Sequence, residues 1–233
     1  MTEYETRMPD RREESRRRRL KARRRRKIRA ALAGFLAVLT VAVGVLLWQR
    51  TRPLPGEGVA APAYVTEKFL PLNRWSRPGT PLEEVNGVVI HYVGNPATSA
   101  EANRNYFASL SNGQENTFAS SHFVVGLEGE VIQCIPLTEI AYASKDRNGD
   151  TVAIEVCHPD ETGEFSEVTY ERVVELTAWL CHTFELKPET EVIRHYDVTG
   201  KLCPLYYVEN PEAWEQLLAD TETALRALGE QEG

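Results

Sequence analysis

Positive charge is scarce over most of this chain. Of its 27 Lys and Arg, 14 fall within residues 1–29, against 5 Asp and Glu there; residues 30–233 hold the other 13 against 29, so the body carries −16 and the tail +9. A basic surface of the kind that grips nucleic acid is thereby excluded from everything except the tail. Internal repeats are absent, which excludes a repeat array and leaves one core of ordinary size for the residues after about 64. Cysteine is limited to four, at 134, 157, 181 and 203. Charge is missing altogether from Ala30 to Trp48, AALAGFLAVLTVAVGVLLW, where Thr40 is the only hydroxyl.

Those 19 uncharged residues cover about 28 Å as a helix, enough for the hydrocarbon of a bilayer. They decide the reading of the basic runs Arg16 to Arg19 and Arg23 to Lys27, which taken alone suit nucleic acid but here flank a membrane span. Only Arg50 and Arg52 follow the span closely, so the N-terminus is expected in the cytoplasm and the rest outside. A cleaved signal peptide is the alternative, with Val59-Ala60-Ala61 as the nearest small-residue cluster. The expected organisation is a cytoplasmic tail over 1–29, a transmembrane helix over 30–48, an extracellular linker over 49–63 and a single domain over 64–233. Pro53, Pro55, Pro62, Gly56 and Gly58 make the linker read as an extended tether.

Within the domain, Val65 to Pro81 reads as irregular, and Gly87 to Tyr92 is a short branched run that suits a strand covered on both faces. Glu101 to Leu110 fits a helix. His122–Val125 and Glu130–Ile135 flank Gly126-Leu127-Glu128-Gly129 as a hairpin, and Thr151 to Cys157 is another strand. Thr169 to Phe184 carries Val173, Leu176, Leu180 and Phe184 on one stripe, Val192 to His195 is a last strand, and Pro211 to Leu228 a closing helix. Strands and helices interleave, which predicts an α/β fold with a mixed central sheet flanked by helices.

The chemistry concentrates in Arg194-His195-Tyr196-Asp197-Val198-Thr199-Gly200-Lys201-Leu202-Cys203-Pro204, which offers a ring nitrogen, a thiolate and a cation on one short segment. Upstream, Val88-Val89-Ile90 delivers His91 into a loop. With Ser120-Ser121-His122-Phe123-Val124-Val125, Gly129-Glu130-Val131-Ile132-Gln133 and Val152-Ala153-Ile154-Glu155-Val156, these blocks resemble the zinc-dependent N-acetylmuramoyl-L-alanine amidases, a family that includes phage lysozyme-like amidases and animal peptidoglycan recognition proteins. The resemblance runs from about Val65 to about Ala219. It implies His91, His195 and Cys203 as zinc ligands, Glu155 as the catalytic carboxylate, Lys201 as a positive group beside the metal, and peptidoglycan as substrate, cut between N-acetylmuramic acid and L-alanine.

The residues are suited to those roles. Three protein ligands leave a fourth zinc position for water. Glu155 sits in an apolar strand, where a charge is costly unless it faces a polar cleft; alternation puts Ala153, Glu155 and Cys157 on one face, opposite Ile154 and Val156. Lys201 can stabilise an oxyanion and favour the Cys203 thiolate. Asp197 is a candidate acceptor for a ligand ring or for the loop. His122 and His158 compete for the metal but match no ligand position of the family, and His182 reads as a surface or packing residue. Tyr92, Tyr206 and Tyr207 either flank the substrate or belong to the core. With Cys203 on the metal, Cys134, Cys157 and Cys181 read as buried thiols, a single bridge among them staying open. The chain departs from the family's broader pattern at Leu205, at Tyr142-Ala143 and at Ser121, which bears on the rim of the groove and on fine specificity. A non-catalytic peptidoglycan receptor on the same fold and a membrane scaffold are the alternative classes; retention of Cys203 argues against the receptor.

The charge asymmetry around Ala30–Trp48 makes a topological prediction. Protease added to intact, wall-stripped cells removes the folded domain and leaves a small anchored fragment, read by immunoblot against tags at the two ends. A protected domain overturns the orientation, and a mature protein that begins near Pro62 replaces the anchor with a cleaved signal.

Overall fold

The computed structural model describes residues 11–231, in two compact units that meet in sequence at Pro53 and Leu54. The first is one helix, α1 (Arg11–Thr51), which runs without a break through the basic segment and the apolar one. Large apolar side chains between Leu32 and Trp48 are exposed, and the only hydroxyl among them, on Thr40, donates to the Leu36 carbonyl at 2.8 Å. This helix is long and apolar enough to cross a membrane. Residues 1–10 of the expected cytoplasmic tail lie outside the described residues.

The second unit contains, in order, β1 (Val65–Glu67), β2 (Val88–Tyr92), α2 (Ala100–Ser109), β3 (Phe123–Val125), β4 (Val131–Gln133), β5 (Val152–Val156), α3 (Glu167–Phe184), α4 (Pro188–Glu191), β6 (Val192–Arg194), α5 (His195–Thr199), α6 (Leu205–Glu209) and α7 (Pro211–Gln231). Six strands form one sheet in the order β1-β4-β3-β5-β2-β6. The hairpin pair β3–β4 is antiparallel and every other pair parallel, so the sheet is mixed, as the interleaved pattern predicts. The short strand β1 arises within a segment read as irregular; its three residues pair along the exposed side of β4 and carry no periodic signal of their own.

The two faces of the sheet bury different partners because side chains alternate along each strand. Val88, Ile90, Phe123, Val125, Val152, Ile154 and Val156 pack against Val173, Leu176 and Leu180 of α3 and Trp214 and Leu217 of α7. The stripe on α3 is stabilised at its start by Ser166, whose Oγ accepts from the Thr169 amide, and ends at Glu185 in a left-handed conformation. On the opposite face Val124, Ile132, Cys134 and Cys157 meet Ala100 and Phe107 of α2, itself capped by Ser99. Helix α2 contacts β3 and β4. Helix α5 contacts β2 and β6.

From Leu54 onward the segment expected to be a tether is folded against the domain. The Leu54 and Gly56 carbonyls accept from Glu57 and Val59, Pro62 accepts from Val65, and Gly56 lies on Leu137. Gly56 has φ of +74°, and a Cβ there would stand 2.5 Å from the Leu137 Cβ. Proline and glycine serve here as turn formers and a close-approach point rather than as a spacer. Gly56→Ala is therefore expected to cost about 1–3 kcal/mol or to release residues 54–60 from the domain. Thermal melting together with the rate of proteolytic nicking within 54–60 checks this.

Candidate metal centre

The site grows from the register of two parallel strands. His91 of β2 is directly opposite Glu155 of β5, so both project from the face that α2 leaves open. His91 and Glu155 are the polar members of β2 and β5 residues that are otherwise apolar apart from Tyr92. The remaining donors come from one loop. His195 is the buried first residue of α5, directly after β6; Gly200, at φ of +76°, turns the chain; and the Cys203 carbonyl accepts from the Tyr196 amide at 2.9 Å. Arg194 and Asp197 clasp the start of this loop: the Asp197 carboxylate accepts from the Arg194 backbone at 2.9 Å and from its guanidinium at 2.8 Å. Arg194 also donates to the Tyr207 carbonyl. Asp197 thus braces the loop and makes no hydrogen bond to the His195 ring.

His91, His195 and Cys203 are all buried, and one donor atom from each lies within 4.8 Å of the others. His91 Nδ1 is 3.9 Å from both the Cys203 sulfur and Glu155 Oε1, and the rings of His91 and His195 stand 4.5 Å apart. Both nitrogens of His195, and Oε2 of Glu155, are buried without a hydrogen-bond partner. The unpartnered nitrogens of His195, beside the His91 and Cys203 donors, suit an occupant that accepts lone pairs. His91 Nε2 turns away from the cluster to Ser144 Oγ, 3.2 Å distant. Ser144 was not singled out in the sequence: it sits 53 positions from His91 in a segment, Ala143-Ser144-Lys145-Asp146, with no motif.

Burial dominates the electrostatics. Desolvation, followed by the neighbouring His195 and Lys201, holds the His91 pKa well below that of an ordinary imidazole, and desolvation with Lys201 and Lys145 lowers that of His195. Desolvation pushes Glu155 up to about 8, against the charge of Lys201. It also pushes the Cys203 thiol up to about 12, reinforced by Glu155 and opposed by the Tyr92 backbone and Lys201. Burial thus biases each of these groups towards its neutral form. A divalent cation among them would reverse the balance for the thiol and the carboxyl, since the charged forms would then have a partner.

The other candidate residues separate by their bonding. His122, fully buried, accepts from the Ala153 amide on Nδ1 at 3.0 Å and donates to the Glu139 carbonyl from Nε2 at 2.9 Å, so both nitrogens are committed to bracing the sheet. His158 bonds the Asp160 carbonyl through Nδ1 and packs on Tyr92 at 5.0 Å. Helix α3 carries the half-buried His182. Tyr207 belongs to the core, packed on Phe165 and Trp214, while Tyr92 and Tyr206 are half-buried. All four cysteines are buried free thiols.

The architecture is shared with endolysin catalytic domains. A mutant endolysin from Bacillus subtilis superposes with a TM-score of 0.56 at 24% identity over 67% of this chain and 97% of that one, and PlyL with 0.58 at 20% over 69% and 98%. At that identity the likeness shows the fold. The sequence matches the family described as N-acetylmuramoyl-L-alanine amidase (Amidase_2) over residues 81–205, more than half of the chain. The chain belongs to this family. Among curated relatives, the N-acetylmuramoyl-L-alanine amidases BlyA of Bacillus subtilis (strain 168) and CwlL of Bacillus licheniformis are 34% and 31% identical over 167 and 158 residues. Each alignment spans 63% of this chain and under half of the relative, 44% and 43%.

The His122 brace has a consequence for acid stability. Burial lowers its pKa to about 4 from 6.5, so between these values the unfolded chain binds a proton that the folded chain refuses. Stability is therefore complete above about pH 6.5 and falls as pH drops towards 4, by up to about 3 kcal/mol from this residue. Thermal melting of wild type and His122→Gln between pH 7 and 4 checks it: the variant starts less stable and loses less on acidification.

Proposed function

We propose that this chain is a membrane-anchored, zinc-dependent cell-wall hydrolase that cleaves the amide between the lactyl group of N-acetylmuramic acid and L-alanine of peptidoglycan. The observation that carries this reading is the convergence of His91, His195 and Cys203 beside Glu155, in a chain of the N-acetylmuramoyl-L-alanine amidase family. Two imidazoles and a thiol suit zinc, and the unpartnered ring nitrogens of His195 and the His91 Nδ1 facing Cys203 fit such an ion. Bond identity and substrate come from the named relatives, BlyA and CwlL. Anchoring is supported by the exposed apolar half of α1 and the basic flank before it. The same features support an N-terminus in the cytoplasm and a domain, from about residue 64, outside, in contact with the wall.

When bound, zinc supplies Lewis acidity that lowers the pKa of a coordinated water and polarises the scissile carbonyl. The protein's own groups complete the reaction. Glu155, within 3.9 Å of His91, accepts the proton of the attacking water as its oxygen bonds to the carbonyl carbon. The same carboxyl then passes that proton to the amide nitrogen as the C–N bond breaks, so that acid and amine leave as separate products. Burial that raises the Glu155 pKa makes its carboxylate a stronger base for the water proton, and the protonated carboxyl then stands ready to pass it to the leaving amine. Lys201, whose charge is felt at His91, His195, Glu155 and Cys203, offsets the negative charge that builds on the carbonyl oxygen.

Zinc content and muropeptide cleavage measured on the same detergent-solubilised preparations test this. Cys203→Ala loses zinc and activity while Cys134→Ala keeps both. Glu155→Gln keeps zinc but loses on the order of a hundredfold or more in turnover, and Lys201→Ala keeps zinc with a comparable loss. Full turnover by zinc-loaded Glu155→Gln removes the assigned base. Zinc-loaded wild type that binds muropeptides without cutting them is a receptor, and a chain that holds no stoichiometric zinc is a scaffold.

A further inference from the structure

We propose that Ser144, seated by Asn148, is a positioning residue that fixes the His91 ring with its Nδ1 lone pair turned towards Cys203 and Glu155. The inference rests on the metal reading above and assigns a role to a residue outside the donor set.

A neutral imidazole carries one N–H and one lone pair, and the partner of the first decides where the second points. His91 is 2% exposed, so solvent does not compete for either nitrogen. Its Nε2 lies 3.2 Å from Ser144 Oγ, and its Nδ1 lies 3.9 Å from both the Cys203 sulfur and Glu155 Oε1. The Ser144 hydroxyl, 1% exposed, has one hydrogen-bond partner among the described residues, and that partner is His91. The hydroxyl can accept from Nε2–H or donate to Nε2, and it is when Nε2–H donates to it that the Nδ1 lone pair faces the other donors. In the opposite tautomer an N–H points at the place a cation would occupy, and binding first has to move that proton or turn the ring inside a packed site.

Ser144 is itself held. The Asn148 carboxamide oxygen accepts from the Ala143 amide at 3.1 Å and the Ser144 amide at 2.6 Å, closing the short turn Lys145–Arg147. The far end of that turn is tied by Thr151, whose hydroxyl donates to the Arg147 carbonyl at 2.6 Å, and by the Arg147–Asp150 ion pair at 2.8 Å. Thr151 immediately precedes β5, which carries Glu155. A braced turn thus connects the strand of the carboxylate to the hydroxyl that sets the histidine ring. Side chains behind metal ligands act by fixing tautomer and ring orientation, and their loss typically weakens metal binding without unfolding the protein.

The experiment uses the full chain in detergent, loaded with zinc or cobalt. Ser144→Ala is expected to weaken zinc retention by about 10- to 100-fold, read as transfer to a chromogenic chelator, and to alter the visible spectrum of the cobalt form. Ser144→Thr, which restores the hydroxyl, recovers both, whereas a residue that only fills space would not distinguish them this way. Equal zinc retention in Ser144→Ala and wild type overturns the proposal. The metal-free wild type gives a second reading: nitrogen NMR of labelled histidine is expected to show His91 protonated at Nε2, and protonation at Nδ1 overturns the proposal even if every Ser144 variant fails to fold. A wild type that holds no zinc sinks the metal reading, while the tautomer measurement still decides the role of Ser144.

Discussion

The parallel register of β2 and β5 is the constraint on which the site depends. With His91 opposite Glu155, two polar side chains share one face of an otherwise apolar pair of strands. A shift of one residue would bury His91 and Glu155 among the leucines and valines of α3 and turn Ile90 and Ile154 into the cleft. The apolar partners of Val88, Ile90, Val152 and Ile154 on α3 and α7 therefore do more than stabilise the sheet. They fix which residues the opposite face can present.

What the opposite face presents is a set of groups kept out of water. Burial lowers the two imidazoles and raises the carboxyl and the thiol, so every member is biased to its neutral form. The same physics acts on His122, with a different outcome. There each ring nitrogen has a backbone partner and the residue is complete, a strut between β5 and the chain around Glu139. At His195 neither nitrogen has one. Two histidines of the domain are thus separated by hydrogen-bond accounting, one closed and the other open to a ligand.

Loops closed by short-range hydrogen bonds carry the remaining precision. The Arg194–Asp197 clasp and the turn at Gly200 bring His195 and Cys203 to the same place from eight residues apart, and the Asn148-centred turn delivers Ser144 to His91. Residues 54–63 behave alike, with turns of their own and Gly56 against Leu137 where an extended tether reads from composition. Glycine and proline carry opposite meanings in a free spacer and in a docked turn, and only contact with the domain distinguishes the two.

Much of this protein was legible in its residues. Periodicity gave the central strands, the stripe on α3 and the closing helix, because apolar spacing is a local property imposed by the face each element buries. Alternation around Glu155 placed it correctly with Ala153 and Cys157, and the ordered histidine and cysteine blocks pointed to the family that the comparison then showed. The uncharged run at Ala30–Trp48 lies within a helix long and apolar enough to cross a membrane. Tertiary structure decided the rest. Strand β1 exists because β4 offers it an edge, and Asp197 serves the loop rather than a ring because Arg194 lies within its reach. His122 is committed to backbone, and Ser144 meets His91 across 53 positions. Sequence fixes what a side chain is able to donate or accept, whereas the partner that uses it is set by the packing of segments distant along the chain.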